Sequence, residues 1–436
     1  GGDEVDTTEY KDAQISSMSL SHDSISALAN TKFTIDQLNG LIYNADSLPY
    51  GTKVGKVICT LTYSLSYVDG TMVVEGAKPD SIWWNGSDSL DFSVPLYFRV
   101  TAYDGKTTKS YKAWVNLHQV NPDTAIWTPY ASTGIKPDEM KVLPYHLASA
   151  ASGEEDVYIM YAKTGDKLQA FYAPRKQVGH WTEEPLVGLP AKANLQQVCA
   201  MGDTLYAPTT DGKLYYSGNG FQWAEDTSAP QIKALMGVVD SGYTTPQPLL
   251  SAVIEEGGSL RFARRDLEGA WTEGQALPDS FPLSGFGSIG YERLGYAYLM
   301  VVAGKDAGQA ALNTTWATGD ALQWAQMNDP NMQYFSKREG PVLTYYDNDF
   351  YLIGGLGTDG EAKKDVYRSL DSGISWQVAD TMLYLPKAYP ATGYASVAVD
   401  ADNYMFVFGG KTSKAAKHTD AIWRGRITRL GFGKDN

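Results

Sequence analysis

Apolar and polar positions alternate along most of this chain, and a period of two is the signature of a strand with one buried face. The alternation is clean in Lys56-Val57-Ile58-Cys59-Thr60-Leu61-Thr62-Tyr63 and in Leu96-Tyr97-Phe98-Arg99-Val100-Thr101-Ala102-Tyr103. A second strand, Ser110 to Asn116, follows the latter across Asp104-Gly105-Lys106-Thr107, and Asp-Gly supplies the positive φ that a tight hairpin needs. Residues 15–120 therefore read as a small β-sandwich. Before them, residues 1–14 (GGDEVDTTEYKDAQ) have no apolar period and read as a flexible acidic tether. After them, Asn121-Pro122-Asp123 reads as a linker.

From residue 121 onward the pattern repeats. Tryptophans preceded by a turn stand at Trp127, Trp181, Trp223, Trp271, Trp324 and Trp376, 42 to 54 residues apart. Upstream of the last five lie apolar strands, VYIMY, TLYAP, LLSAVI, AYLMVVAG and FYLIGG, and a sixth copy, YMFVFGG, precedes HTDAIWRGRI. Four strands in about 50 residues make one propeller blade, so residues 121–436 are expected to form six. Trp423 aligns with Tyr367 rather than with Trp376, which leaves the last blade short of an outer strand. Either Ala125-Ile126-Trp127-Thr128 supplies it, joining the two ends of the ring and removing an open edge, or Leu430-Gly431-Phe432 does.

Several motifs carry resemblances. Gly354-Gly355 and Gly409-Gly410, with Tyr367 and Trp376 beyond the first pair, resemble the double glycine of kelch propellers, and the domain is similar in kind to the central domain of galactose oxidase. Ser369-Leu370-Asp371-Ser372-Gly373-Ile374-Ser375-Trp376 resembles the Asp-box of sialidase propellers, with weaker echoes before Trp223 and Trp324. Its physical role is a turn: Ser and Asp side chains bond the backbone and Trp packs between sheets. The stretch VTAYDGKTTKSYKAWV resembles the closing hairpin of bacterial immunoglobulin-like and cadherin-like surface modules. The whole layout resembles a family of surface lipoproteins from Gram-negative gut anaerobes. That likeness implies location rather than chemistry: a lipidated cysteine before Gly1, and a cell-surface or outer-membrane position, or a periplasmic one. The fold class expected is all-β, a small immunoglobulin-like β-sandwich followed by a six-bladed kelch-like β-propeller.

Composition agrees: 29 Tyr, 11 Trp and 43 Gly suit many short strands joined by glycine turns. With 36 Lys and Arg against 50 Asp and Glu, the formal charge of -14 leaves no basic track for nucleic acid. No apolar run is long enough to span a bilayer. Two cysteines, Cys59 and Cys199, build neither a disulfide framework nor a zinc site, and read as buried free thiols. The five histidines (His22, His118, His146, His180, His418) offer no shared position for a copper site. The sialidase arginine motif near the first blade is absent, and so are the Walker, dinucleotide, HExxH and GxSxG motifs. No catalytic residue, cofactor or metal is assigned.

What remains is binding through one loop face. The long loops 327–340, 379–392 and 275–288 carry aromatics beside cations, a combination that suits sugar rings or peptide side chains. The candidate ligand-binding residues are Tyr334, Phe335, Arg338, Tyr384, Lys387 and Tyr389, with Phe281 and Phe286 in the third loop; the competing reading buries each aromatic against a blade edge. The expectation is a monomeric, non-enzymatic surface protein that recognises a glycan or a cell-surface protein. The alternatives are a glycoside hydrolase or lyase working in the central cleft, and a structural scaffold.

Overall fold

The computed structural model describes residues 10–76, 80–149, 153–380, 383 and 385–431. The chain divides into two compact units between Pro122 and Asp123. Both are built of strands, as the alternating pattern requires.

In the first unit, six strands form one sheet in the order Thr34–Asp36, Leu41–Tyr43, Thr108–Ala113, Leu96–Ala102, Val68–Glu75, Ile82–Trp83, and Ile15–Ser21 pairs with Ile58–Tyr63 in a second ladder. Leu96, Phe98, Val100 and Ala102 point inward at every second position and meet Ile15, Leu20 and Cys59 of the smaller ladder in one core. Burial pushes the Cys59 thiol up to about 12, so it stays protonated. Asp104 closes the hairpin by accepting from the amides of Lys106 and Thr107, both at 2.8 Å, while Gly105 takes φ 69°. The acidic leader differs from the expected tether at its end. Tyr10 accepts from the Asp104 amide (3.2 Å), Gln14 accepts from the Ser64 amide (3.0 Å), and Ala13 is buried. Residues 1–9 lie outside the described residues.

The second unit is a β-propeller. Among the described residues it holds six four-stranded antiparallel sheets, called here one to six in the order of their first strands. Those first strands are Glu139–Ser149, Cys199–Met201, Gln231–Val239, Gly287–Arg293, Val342–Tyr346 and Ser396–Val399. They are neighbours in a closed cycle around one axis, with the short Leu195–Gln197 turn joining the first to the second. The apolar segments legible in the sequence are the second strands, such as Thr204–Pro208, Tyr296–Val302 and Asp349–Ile353. Their side chains pack on both faces into the clusters between sheets.

Sheet six takes its outer strand from the start of the unit: Ala125–Ser132 pairs with Ala421–Ile427 in a register that sets Trp127 opposite Gly425 and Ile422 opposite Ala131. The absence of a Cβ at Gly425 makes room for Trp127, whose ring lies 2.4 Å from where that atom would be. Leu430 instead belongs to a short helical turn, Thr428–Gly431, and Phe432 lies outside the described residues.

The Asp-box is wired as its chemistry suggests. Asp371 accepts from the Ser375 amide (2.9 Å), Ser369 Oγ accepts from the Gly373 amide (2.8 Å), and Trp376 Nε1 donates across to Thr315 Oγ1 of the neighbouring sheet (3.0 Å). Asn219 and Asp320 do the same work in the two weaker copies, each carboxamide or carboxylate oxygen accepting from two amides of its own turn.

Candidate functional site at the loop face

In every sheet the connection between second and third strands, and the link onward to the next sheet, emerge at the same end of the axis. Four side chains from such segments converge there. Glu339 lies in the link between sheets four and five, Tyr394 in the link into sheet six, and Lys305 and Lys414 in the second-to-third connections of sheets four and six. The Glu339 side chain is only 7% exposed, yet Lys305 Nζ reaches one oxygen at 2.9 Å and Lys414 Nζ the other at 3.3 Å.

Backbone conformation sets this arrangement. Gly285, Gly340 and Tyr394 occupy matching positions just before the first strands of sheets four, five and six, all at φ 64°. The Gly340 amide donates to the Gly285 carbonyl (2.6 Å), and the Tyr394 amide donates to the Gly340 carbonyl (2.7 Å). Two of these left-handed positions use glycine, as sterics favour; the third carries a bulky aromatic, at a cost of about 1 to 3 kcal/mol. The Tyr394 hydroxyl crosses over Gly285, 3.0 Å from where its Cβ would stand, and hydrogen-bonds Glu339. A strained aromatic has thus been placed where its hydroxyl meets a buried carboxylate.

Electrostatics follow from this packing. Burial pushes Glu339 up, but the Lys305 hydrogen bond and the Lys414 ammonium outweigh it and hold the carboxyl below its ordinary value. Tyr394 lies well above the usual phenol, first through burial and then through the Glu339 charge. Lys305 lies above the ordinary lysine value through the hydrogen bond it shares with Lys414 and through Glu339. Lys414 lies below it, first through the neighbouring Lys305 and then through burial.

Beneath the cluster a cavity of about 370 Å³ follows the axis between the first strands, lined by Lys141, Cys199, Ser288, Tyr394 and Ser396 among others. Its hydroxyls are mostly committed to backbone: Ser396 Oγ accepts from the Val142 amide (2.9 Å) and Ser288 Oγ donates to the Met236 carbonyl (2.5 Å). Lys141 Nζ donates to the Gln196 carbonyl (3.2 Å), and burial pulls it below its ordinary value. Cys199, expected to be buried, is partly buried on this wall, and desolvation pushes its thiol up to about 12. Mouth and cavity together offer ammonium groups, the carboxylates of Glu339 and Asp240, and a phenol, a set that can grip a ligand carrying hydroxyls. No group of three or more His, Cys, Asp and Glu suited to a metal occurs among the described residues.

The residues singled out from the sequence are distributed differently. Arg338 is fully buried: it bonds Asp365 through two nitrogens (2.6 and 3.2 Å), the carbonyls of Ser336 and Gly354, and Ser336 Oγ, and it stacks between Phe335 and Tyr367. Phe335 packs edge-on against Trp376, and Tyr389 lies between Trp127 and Trp423. Phe335 and Tyr389 are buried, as is Phe281, so none of these faces a ligand. Tyr334 and Phe286 are half-buried against core clusters, and Lys387 is exposed. Tyr384 lies outside the described residues. The loops are long because they fold back and cover blade edges, which is what their aromatics are for.

Glu339 and Tyr394 escaped sequence reasoning although a signal existed. Aligning Ser284-Gly285-Phe286, Glu339-Gly340-Pro341 and Gly393-Tyr394-Ala395 places a tyrosine in a glycine column. Glu339 is shadowed by its neighbour. In the two-residue strand Arg338–Glu339, successive side chains point opposite ways, and the arginine that looks like the ligand group is the one that turns into the core.

Comparison with known proteins gives a family and a fold. The family model described as the DUF6242 beta propeller domain matches residues 121–435, and the one described as the DUF6242 N-terminal domain, a domain of unknown function, matches residues 4–115. No curated protein matches the chain. Among solved structures, "Structure of YjhT" aligns with a TM-score of 0.47 and 10% identity over 68% of this chain and 97% of that one.

Proposed function

The chain belongs to the DUF6242 family, a propeller with a distinct N-terminal domain, and on that premise we propose that it is a non-enzymatic binding protein whose ligand, a glycan or a surface protein, docks at the mouth formed by Glu339, Tyr394, Lys305 and Lys414. The observation that carries this reading is Tyr394. A strained left-handed tyrosine where sheets four and five use glycine persists only where its side chain is needed, and strain of this kind gathers at ligand sites. The six sheets are the blades of a kelch-like ring, and the first unit is an immunoglobulin-like sandwich. In this reading the protein is a monomer outside the cytoplasm, held at the cell surface or outer membrane by a lipid anchor with the acidic leader as spacer. Fractionation of cells that leaves it in the cytosol overturns that location.

A second reading has one observation in its favour. Two lysine amines, a buried carboxylate and a phenol meet in one mouth, Lys305 and Lys414 reaching the two oxygens of Glu339, and groups of these kinds are what a lyase or glycoside hydrolase would use for proton transfer. A glycan array on the full chain, with product analysis of every hit, separates the two. Hits without turnover, lost in Tyr394→Gly and Lys414→Met, support binding; turnover that those variants abolish supports the enzyme.

A further inference from the structure

Leu294 and Tyr394 carry the two largest apolar or aromatic side chains found at positive φ among the described residues. Tyr394 serves the mouth. Leu294 lies at the opposite end of the axis, in the two-residue turn Leu294-Gly295 between the first two strands of sheet four, with φ values of 52° and 83°. Such turns want Asn, Asp or Gly, and the matching turn of sheet five is Asp347-Asn348. A leucine costs about 1 to 2 kcal/mol here, and it recovers nothing by burial, being 91% exposed.

The turn edges a cavity of about 1400 Å³ between sheets three and four. That exceeds the roughly 300 to 1,000 Å³ of a single small-ligand pocket and suits an extended chain. Its walls combine aromatic faces (Tyr291, Tyr296, Tyr298) with uncharged hydrogen-bonding groups such as Thr245, Gln275 and Gln323. Tyr291 is held between Tyr298, stacked at 5.3 Å, and Phe350, edge-on at 4.7 Å. The Tyr243 ring covers Gly295, where a Cβ would stand 1.8 Å away, the Tyr243 amide donates to the Gly295 carbonyl (2.9 Å), and Tyr243 meets Tyr296 edge to face at 5.9 Å. A preformed platform loses little entropy on binding.

Two arginines in the same walls, Arg264 and Arg293, offer cationic partners to a ligand, alongside the carboxylates of Asp266 and Asp320. Arg264 donates to the Asp320 carbonyl (3.1 Å), and Arg293 donates to Ser372 Oγ and to the Asn348 carbonyl (3.1 Å). Neither forms an ion pair among the described residues, although the chain as a whole carries a formal charge of -14. The nearby carboxylates serve their own turns: Asp266 accepts from the amides of Glu268 and Ala270, and Asp320 from those of Leu322 and Gln323.

We propose that this cleft is a second binding site, taking an acidic oligosaccharide whose rings lie on the tyrosine platform and whose carboxylates meet Arg264 and Arg293. It stands independently of the mouth. The test titrates the full chain with hexagalacturonate and, in parallel, with neutral cellohexaose. Hexagalacturonate is expected to bind, more weakly as salt rises, and cellohexaose at least about tenfold less tightly. Tyr296→Ala and Arg264→Leu are each expected to cost about tenfold or more in affinity. Leu294→Asn raises the thermal midpoint by relieving the turn and yet weakens binding, so loss of fold cannot explain the loss of ligand. Tyr394→Gly at the mouth leaves this binding unchanged. Absent binding, equal binding of the neutral sugar, or indifference to the Tyr296 and Leu294 variants overturns the proposal. Sensitivity to Tyr394→Gly also overturns it, by assigning the sugar to the mouth.

Discussion

Replacing Arg338 by leucine separates a structural arginine from a ligand-binding one. Its guanidinium is fully buried, pairs with Asp365, and supplies donors to the carbonyls of Ser336 and Gly354 and to Ser336 Oγ. Removing one partner of a buried pair costs about 3 to 5 kcal/mol. The Asp365 side chain is 34% exposed, so water recovers part of its loss, and the lower end, about 3 kcal/mol, applies. For a propeller of this size about 2 °C of melting temperature follows each kcal/mol, giving an expected fall of about 6 °C. The double variant Arg338→Leu with Asp365→Leu is expected to regain part of it, since no charge is left unpaired. Thermal unfolding followed by circular dichroism, with ligand binding measured per folded molecule, reads both quantities. An unchanged melting temperature with lost binding would refute the structural assignment and restore Arg338 to the ligand face.

Three other outcomes follow from the same packing. His418 accepts the Gly410 amide on Nδ1 (3.0 Å), and burial, then the Lys411 charge, pulls it down to about 4. The unfolded chain takes up this proton near pH 6.5 and the folded chain only near 4, so the stability is whole above about 6.5 and declines as pH falls toward 4, by at most about 3 kcal/mol; urea midpoints across that range check it, and His418→Gln is expected to flatten the slope. Gly425→Ala drives a methyl into Trp127 and is expected to cost about 1 to 3 kcal/mol, with amide exchange accelerating in residues 125–132 and 421–427 before it does in other sheets. Asp371→Ala removes the acceptor of the Ser375 amide and is expected to destabilise by about 1 kcal/mol or more, while binding at the mouth, seen on the array, stays the same.

How far the sequence reveals this molecule depends on the range of the interaction. Strands, turns and the repeat are local or periodic, so the Trp series and the Asp-Gly hairpin could be read directly. Closure by Ala125–Ser132 was also legible, because Trp423 aligns with Tyr367 and leaves an outer strand to be found. Direction of a side chain was not. Arg338 and Tyr389 look like exposed ligand groups in long polar loops, but the partner of the first, Asp365, comes from a loop of sheet five, and those of the second, Trp127 and Trp423, meet only where the ring closes. Glu339 was hidden for the same reason: Lys305 and Lys414 belong to different sheets, and nothing along the chain pairs them. Tyr394 lay between these cases, visible in a repeat alignment but meaningful only once its left-handed backbone is seen.

The most direct measurement for the mouth is a side-by-side glycan array of the wild-type chain, Tyr394→Gly and Lys414→Met, each verified as folded by its melting temperature. Glycine suits the left-handed backbone at position 394, so that variant removes the hydroxyl without disturbing the link into sheet six. The account predicts wild-type hits that fall by about tenfold or more in both variants, with no product released. Hits that survive both substitutions, or turnover of a bound glycan, would contradict it.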